Sequence, residues 1–175
     1  MKISMHAIAE SSFSAMLESL SEWLDKAAAH AEASKQDLVG ARLAPDMFTL
    51  AQQVQQACYY ARDGMARLSG RPGAAKPDVA STLAGLKAQI GETLDAVRAV
   101  PATAFAGADE RDCSIPIADG KLIAMDGLRF LRAWTLPHFY FHVVTAYGIL
   151  RHSGVALGKY DYLSEVGDFI RPQHG

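Results

Sequence analysis

Along most of the chain apolar residues recur at three- and four-residue intervals, the spacing that gives an α-helix one apolar face. From about residue 4 to 33 the repeat runs through Met5, Ile8, Met16, Leu20, Trp23, Leu24 and Ala27, while Glu10, Glu18, Glu22, Asp25 and Lys26 take solvent-type positions. This predicts a long first helix with one buried stripe. Gly40 and Pro45 then bracket a connection. Pro45-Asp46 supplies a start signal for a second helix over about 46–69, with Asp46 at its cap or in its first turn. The seam of that helix is Met47, Leu50, Val54, Cys58, Ala61, Met65 and Leu68, and Gly70 with Pro72 stops it. GRPGAAKPD reads as a linker, and Val79, Leu83, Leu86, Ile90, Leu94 and Val97 predict a third helix over about 78–99, before Pro101.

The helical period breaks over 111–126. Ile115 and Ile117 alternate with Ser114 and Pro116, Asp119-Gly120 is a favoured hairpin turn, and Leu122, Ile123 and Met125 follow. A lone hairpin is marginal in water, so this one is expected to lie against helices, with Pro116 at an edge. A fourth helical region covers about 127–152, in which Pro137 separates a short lead-in from the main helix and Gly154 lies just past the end. From Val155 onward Tyr160, Tyr162, Leu163 and Phe169 follow no clear period, and this segment is expected to fold back over the bundle or meet a second subunit. With no internal repeat and no domain boundary, the pattern predicts one all-α domain over 1–175. Its architecture is an antiparallel four-helix bundle with a small β-hairpin inserted before the last helix.

Composition changes this picture little. Half of the residues are hydrophobic and 21% are charged, as in ordinary globular proteins. A formal net charge of -2 gives no long-range attraction to nucleic acid or to an anionic membrane, so neither is an expected partner. No apolar run reaches the roughly 18 residues needed to span a bilayer, and the N-terminus does not read as a secretory signal. The two cysteines, Cys58 and Cys113, lack metal-type spacing, and a cytoplasmic protein with reduced thiols is expected. Cys58 falls on an apolar seam with no basic neighbour in sequence, which points to an inert thiol rather than a nucleophile.

The candidate chemistry lies in LPHFYFHVVTAYGILRHSG, residues 136–154. His138 and His142 are four apart, so on a helix their imidazoles can reach one ion, and facing helices of a bundle are where such sites are built. Zinc bound by histidine usually takes a third protein ligand and, when catalytic, keeps an open position. Asp46 is the best third candidate, since it begins the second helix as His138 begins the fourth. The plainer alternatives are an N-cap role for Asp46, a solvent-facing helix start for His138, and for His142 a core imidazole satisfied by a carbonyl, hydroxyl or water. Gln53, seven residues after Asp46 and on the same face, can hydrogen-bond a ligand or orient His142. Tyr147 is a pocket candidate whose alternative is packing. No glycine-rich phosphate loop, Ser-His-Asp order or Cys-x-x-Cys motif is present.

LAPDMFTLAQQVQQA at 43–57, ARLSG at 66–70 and PHFYFHVVTAYGILRHSGVALGKYDYL at 137–163 resemble an uncharacterised bacterial family of the DinB/YfiT-like superfamily, over nearly the whole chain. The resemblance implies a DinB-like bundle, often a homodimer, acting on an unknown small molecule. It also implies that a second-helix residue and a His-x-x-x-His pair on the fourth helix hold a divalent metal, zinc or nickel. By position the pair is His138 and His142, and Asp46 replaces the second-helix ligand. Some relatives are thiol-dependent transferases or isomerases, so the implied activities are a metal-dependent hydrolase or a thiol-dependent transferase. The alternative is a non-catalytic dimeric binding or stress-related protein with structural histidines. Two departures stand out: members of the resembled family usually carry asparagine where this chain has His138, and an acidic residue where it has Tyr59.

Overall fold

The structure, a computed structural model, describes residues 4–171. Helix α1 (Met5–Ser34) starts where Ser4 accepts a hydrogen bond from the Ala7 amide, and ends where Lys35 turns left-handed at φ 59°. Its buried stripe is Ala9, Phe13, Leu17, Leu20, Leu24 and Ala27, which leaves Ile8, expected inside, 38% exposed on the flank. Helix α2 (Leu50–Leu68) begins four residues later than the Pro45-Asp46 signal implies. The reason is a reciprocal cap: Thr49 Oγ1 accepts from the Gln52 amide, and Gln52 Oε1 accepts from the Thr49 amide. Asp46 therefore does not cap α2. It lies exposed in a turn where the Met47 amide reaches the Ala44 carbonyl. Helix α3 (Leu83–Arg98) likewise starts later than its apolar pattern suggests, capped by Thr82, and leaves Val79 exposed.

Contacts between named residues give the helix directions. Asp25 meets Lys87, Glu18 meets Arg98 and His6 meets Val100, so α1 and α3 are antiparallel. Helix α5 (Leu136–His152) runs parallel to α1, with Phe13 against Phe139 and Trp23 against Tyr147, and antiparallel to α2, with Gln53 on His142 and Tyr60 on Thr135. The result is a four-helix bundle in which α2 and α3 point the same way, while α1 and α2 sit at opposite corners.

A parallel α2–α3 pair needs a connection that returns along the bundle, and the glycine- and proline-rich linker provides it. Buried Asp63 holds Arg67 through both carboxylate oxygens and accepts from the Ala74 amide, and Gln55 donates to the Pro77 carbonyl further back along α2. A Cβ on Gly73 would come within 2.4 Å of the Arg67 guanidinium and 2.6 Å of Asp63 Oδ1, so a side chain there would require this ion pair to shift.

The segment before the last helix contains the expected hairpin, β1 (Ile115–Pro116) antiparallel to β2 (Leu122–Ile123), with Ile115 opposite Ile123. Asp119 and Gly120 both take positive φ, 59° and 67°, which explains this dipeptide at the turn. Ile115 and Met125 pack on the core, whereas Ile117 and Leu122 remain exposed. A short helix α4 (Gly127–Arg129), capped by Asp126, leads into a π-helical stretch, Phe130–Thr135, and then into α5. Beyond α5, the Trp23 indole donates to the Asp161 carbonyl, and Lys26 pairs with the Asp161 carboxylate. The C-terminal segment with α6 (Lys159–Tyr162) thus folds back onto α1. Among the described residues no helix is long and apolar enough to cross a membrane.

At Gly127 a Cβ would lie 1.8 Å from the Ala108 carbonyl oxygen, a backbone atom that cannot swing aside. Gly127→Ala is expected to cost about 3 kcal/mol or more in urea unfolding, through forced displacement of the hairpin segment from α4. A loss below about 1 kcal/mol would show that this close approach is not a constraint.

Candidate functional site

Pro137 lacks an amide hydrogen, so the turn before it cannot keep a regular i to i−4 ladder. The chain responds by widening: the Leu136 amide bonds the Leu131 carbonyl five residues back, and Phe130–Thr135 is π-helical. Thr135, fully buried, anchors this stretch to α2 by donating to the Tyr60 carbonyl at 3.0 Å. Trp134 and His138 follow on one face, with their rings 4.5 Å apart.

The two histidines meet in the seam between α2 and α5. His142 is 7% exposed, and its Nδ1 lies 2.7 Å from Gln53 Oε1. Gln53, buried to 1%, points its amide nitrogen at the Phe48 carbonyl at 3.4 Å, which leaves its oxygen for the imidazole. The His142 proton is therefore on Nδ1 and the lone pair on Nε2. His138 Nδ1 lies 2.7 Å from the Trp134 carbonyl, and since a carbonyl only accepts, that nitrogen also carries the proton. Among the described residues neither Nε2 has a hydrogen-bond partner. Both imidazole planes lie nearly parallel to the Tyr60 ring, at 4.6 Å for His138 and 5.6 Å for His142. An open cleft of about 410 Å³ is lined by Pro137, His138, Phe141 and His142.

Burial, with smaller contributions from His138 and Lys76, pulls the His142 pKa from 6.5 down to about 4. His142 is thus a neutral imidazole at physiological pH, with its lone pair available. Nδ1 held by an acceptor and Nε2 open is the arrangement by which proteins orient a metal-binding histidine.

The sequence-predicted residues divide. His138, His142 and Gln53 are brought together. Tyr147 lies on another face of α5, edge-on to Trp23 at 5.3 Å and near Tyr162. Asp46 stays in its exposed turn, and among the described residues no three His, Cys, Asp or Glu side chains form a group able to hold a metal. Tyr60, Trp134 and Phe48 complete the surroundings of the pair and were not singled out by sequence reasoning. Spacing offered a signal for two of them: Tyr60 follows Gln53 by seven residues on α2, and Trp134 precedes His138 by four. Cys58 and Cys113 are buried elsewhere, and burial pushes the Cys58 thiol up to about 11.

A helical bundle with one buried and one half-buried histidine, four apart on α5 and lining an open cleft, is the class of protein that fold and site define. The chain belongs to the DUF1993 family, described as a domain of unknown function, which matches residues 5–163. A crystal structure of a DinB family member from Shewanella denitrificans is similar, with 37% sequence identity, 97% of each chain covered and a TM-score of 0.80. No functionally curated protein matches. The protein is thus a DinB-like helical bundle, and the similarity assigns it no specific activity.

Because the folded-state pKa of His142 is depressed, the unfolded chain binds the extra proton first as pH falls. Stability is retained above about 6.5 and declines between about 6.5 and 4. The expected loss from this one group is roughly 2 to 4 kcal/mol. Urea unfolding of the wild type and of His142→Gln across that range should show a steeper decline in the wild type. Parallel curves would contradict the depressed value.

Proposed function

We propose that the protein binds a divalent metal ion, zinc or nickel, through Nε2 of His138 and Nε2 of His142, and acts on a small molecule as a metal-dependent hydrolase or thiol-dependent transferase. The observation that carries this reading is that both Nδ1 atoms are held by acceptors, which leaves the lone pairs on Nε2, and that both histidines line one open cleft. Asp46 is not gathered with the pair, so the protein would supply two nitrogen donors, one short of the three that catalytic zinc usually takes, and water or ligand would fill the remaining positions. A divalent ion held there would supply Lewis acidity to a bound water or thiol. Gln53 orients the His142 ring, the Trp134 carbonyl orients that of His138, and Tyr60 holds both planes.

A second reading makes this a non-catalytic, homodimeric binding protein with structural histidines. It is favoured by the missing third ligand, and by the exposed apolar side chains of Leu43, Phe48, Phe141 and Val144, which a second copy would cover.

Calorimetric titration of zinc or nickel chloride into chelator-treated protein, prepared without a nickel column, separates the two. The first reading expects saturable binding of one ion per chain and, at 100-fold excess over Kd, stabilisation by about 2.7 kcal/mol. His138→Ala and His142→Ala should each abolish it. No saturable binding, together with a His142→Ala destabilisation that is the same with and without metal, would establish the second reading.

A further inference from the structure

The linker after α2 borders a second cleft, of about 340 Å³, which shares no lining residue with the histidine cleft. Arg62, Met65 and Ala66 reach it from one face of α2, at the three- and four-residue spacing that aligns side chains along a helix. Ala96 comes from α3, and Arg71, Pro72 and Ala74 come from the linker. The backbone around the cleft is held. Gly70 takes φ 77°, its amide bonds the Arg67 carbonyl and the Arg71 amide bonds the Ala66 carbonyl, so α2 ends in a Schellman turn that sets the place of Arg71. Pro72 has its φ fixed by the ring, and the Ala74 amide is bound by Asp63. Three of the seven lining residues are alanines, whose methyl groups are too short to fill the space.

Charge is concentrated here. Residues 62–76 carry four cations, Arg62, Arg67, Arg71 and Lys76, and one anion, Asp63, in a chain whose net charge is -2. Asp63 is engaged by Arg67 and the Ala74 amide, and Lys76 lies over the Tyr59 ring. Arg62, half-buried on α2, has no side-chain hydrogen bond or ion pair among the described residues. Arg71 commits only its Nε, to Ser69 Oγ at 3.0 Å. The carboxylates of Glu92 and Asp95, on the helix that supplies Ala96, pair with neither guanidinium. Two uncommitted guanidinium forks thus border one cleft, and the planar fork is the group that matches phosphate oxygens.

We propose that this cleft binds a small phosphate monoester carrying an apolar or aromatic group. Arg62 and Arg71 take the phosphate, whose charge near -2 balances two guanidiniums rather than one. Met65, Pro72 and the alanines take the apolar part, and the volume is within the range of small-molecule sites. The site is independent of the metal reading. Because its walls come from α2, α3 and the linker, an occupant ties the three together and stabilises the fold.

Calorimetric titration of phenyl phosphate into metal-free protein at pH 7.5 is expected to saturate at one per chain. Inorganic phosphate, which lacks the ring, and benzoate, which carries a single charge, should each bind at least about threefold more weakly. Arg62→Gln/Arg71→Gln should weaken phenyl phosphate by about tenfold or more, as expected for loss of a hydrogen bond to a charged group. Arg62→Lys/Arg71→Lys keeps the charge without the fork and should recover only part of that loss. Arg71 is exposed, so Arg71→Gln alone keeps the fold, checked by circular dichroism melting, and should still weaken binding by about threefold or more. His138→Gln/His142→Gln should bind phenyl phosphate as the wild type does. Absence of saturable binding, an affinity unchanged in the double glutamine variant, or binding lost with the histidines would each overturn the proposal. Equal affinity for benzoate would overturn the phosphate assignment, and equal affinity for inorganic phosphate would overturn the apolar part.

Discussion

An imidazole in the seam between α2 and α5 has to find a hydrogen-bond partner, because leaving a buried polar group unpaired costs about 1 to 3 kcal/mol. His142 finds Gln53, and that bond reaches across the antiparallel helix pair that carries the site. Gln53 can serve only because its amide nitrogen is held by the Phe48 carbonyl, in the connection that leads into α2. The start of α2, the rotamer of Gln53 and the tautomer of His142 are thereby linked. Thr135 makes a second tie across the same pair by donating to the Tyr60 carbonyl, where the chain changes from π to α winding. The Gln53 bond leaves the His142 lone pair on Nε2, as the Trp134 carbonyl does for His138.

The same logic governs the outer parts of the bundle. A parallel α2–α3 pair is possible because the linker after α2 is pinned at Asp63 and Gln55 on its way back. The Asp63–Arg67 pair is partly shielded, and its value lies in fixing the path of the chain as much as in the Coulomb attraction. Arg111 acts similarly, its guanidinium donating to the Leu68, Ala104 and Ala106 carbonyls, so that the end of α2 and the segment before the hairpin share one cation. These contacts hold the frame in which α5 can present Pro137 and the histidines at a constant angle to α2.

Much of the frame was legible in the sequence because its signals are local and periodic. The stripes around Leu20, Val54 and Ile90 identify the first three helices, Pro137 and Gly154 mark the start and end of the last, Asp119-Gly120 identifies the hairpin turn, and the linker announces itself by glycine and proline. The start of α2 was misplaced because Pro45-Asp46 looks like a start signal, whereas Thr49 and Gln52 satisfy each other; that Thr-x-x-Gln spacing was present to be read. The consequence reached the site, for an Asp46 outside the helix does not face His138 as a ligand on α2 would. That His138 and His142 share a helix face was legible from their spacing, whereas Gln53 was reached by its spacing from Asp46, which lies outside the helix. The place of Tyr147 was not legible, because five residues of α-helix turn it away from His142 toward Trp23. The π-helical winding was invisible, since Pro137 in sequence marks a disturbance without saying whether the helix breaks, kinks or widens. Nor does sequence give a tautomer, which depends on acceptors contributed by Gln53 on α2 and by the Trp134 carbonyl.

Both histidines carry their proton on Nδ1, which leaves Nε2 unprotonated. Two-bond nitrogen–proton correlation spectra of the histidine rings in metal-free protein at pH 7.5 test it directly. For His138 and His142, assigned by His138→Gln and His142→Gln, the account predicts a protonated Nδ1 and an unprotonated Nε2. A protonated Nε2 on His142 with an unprotonated Nδ1 would contradict it, because Nδ1 would then have no proton to give to Gln53.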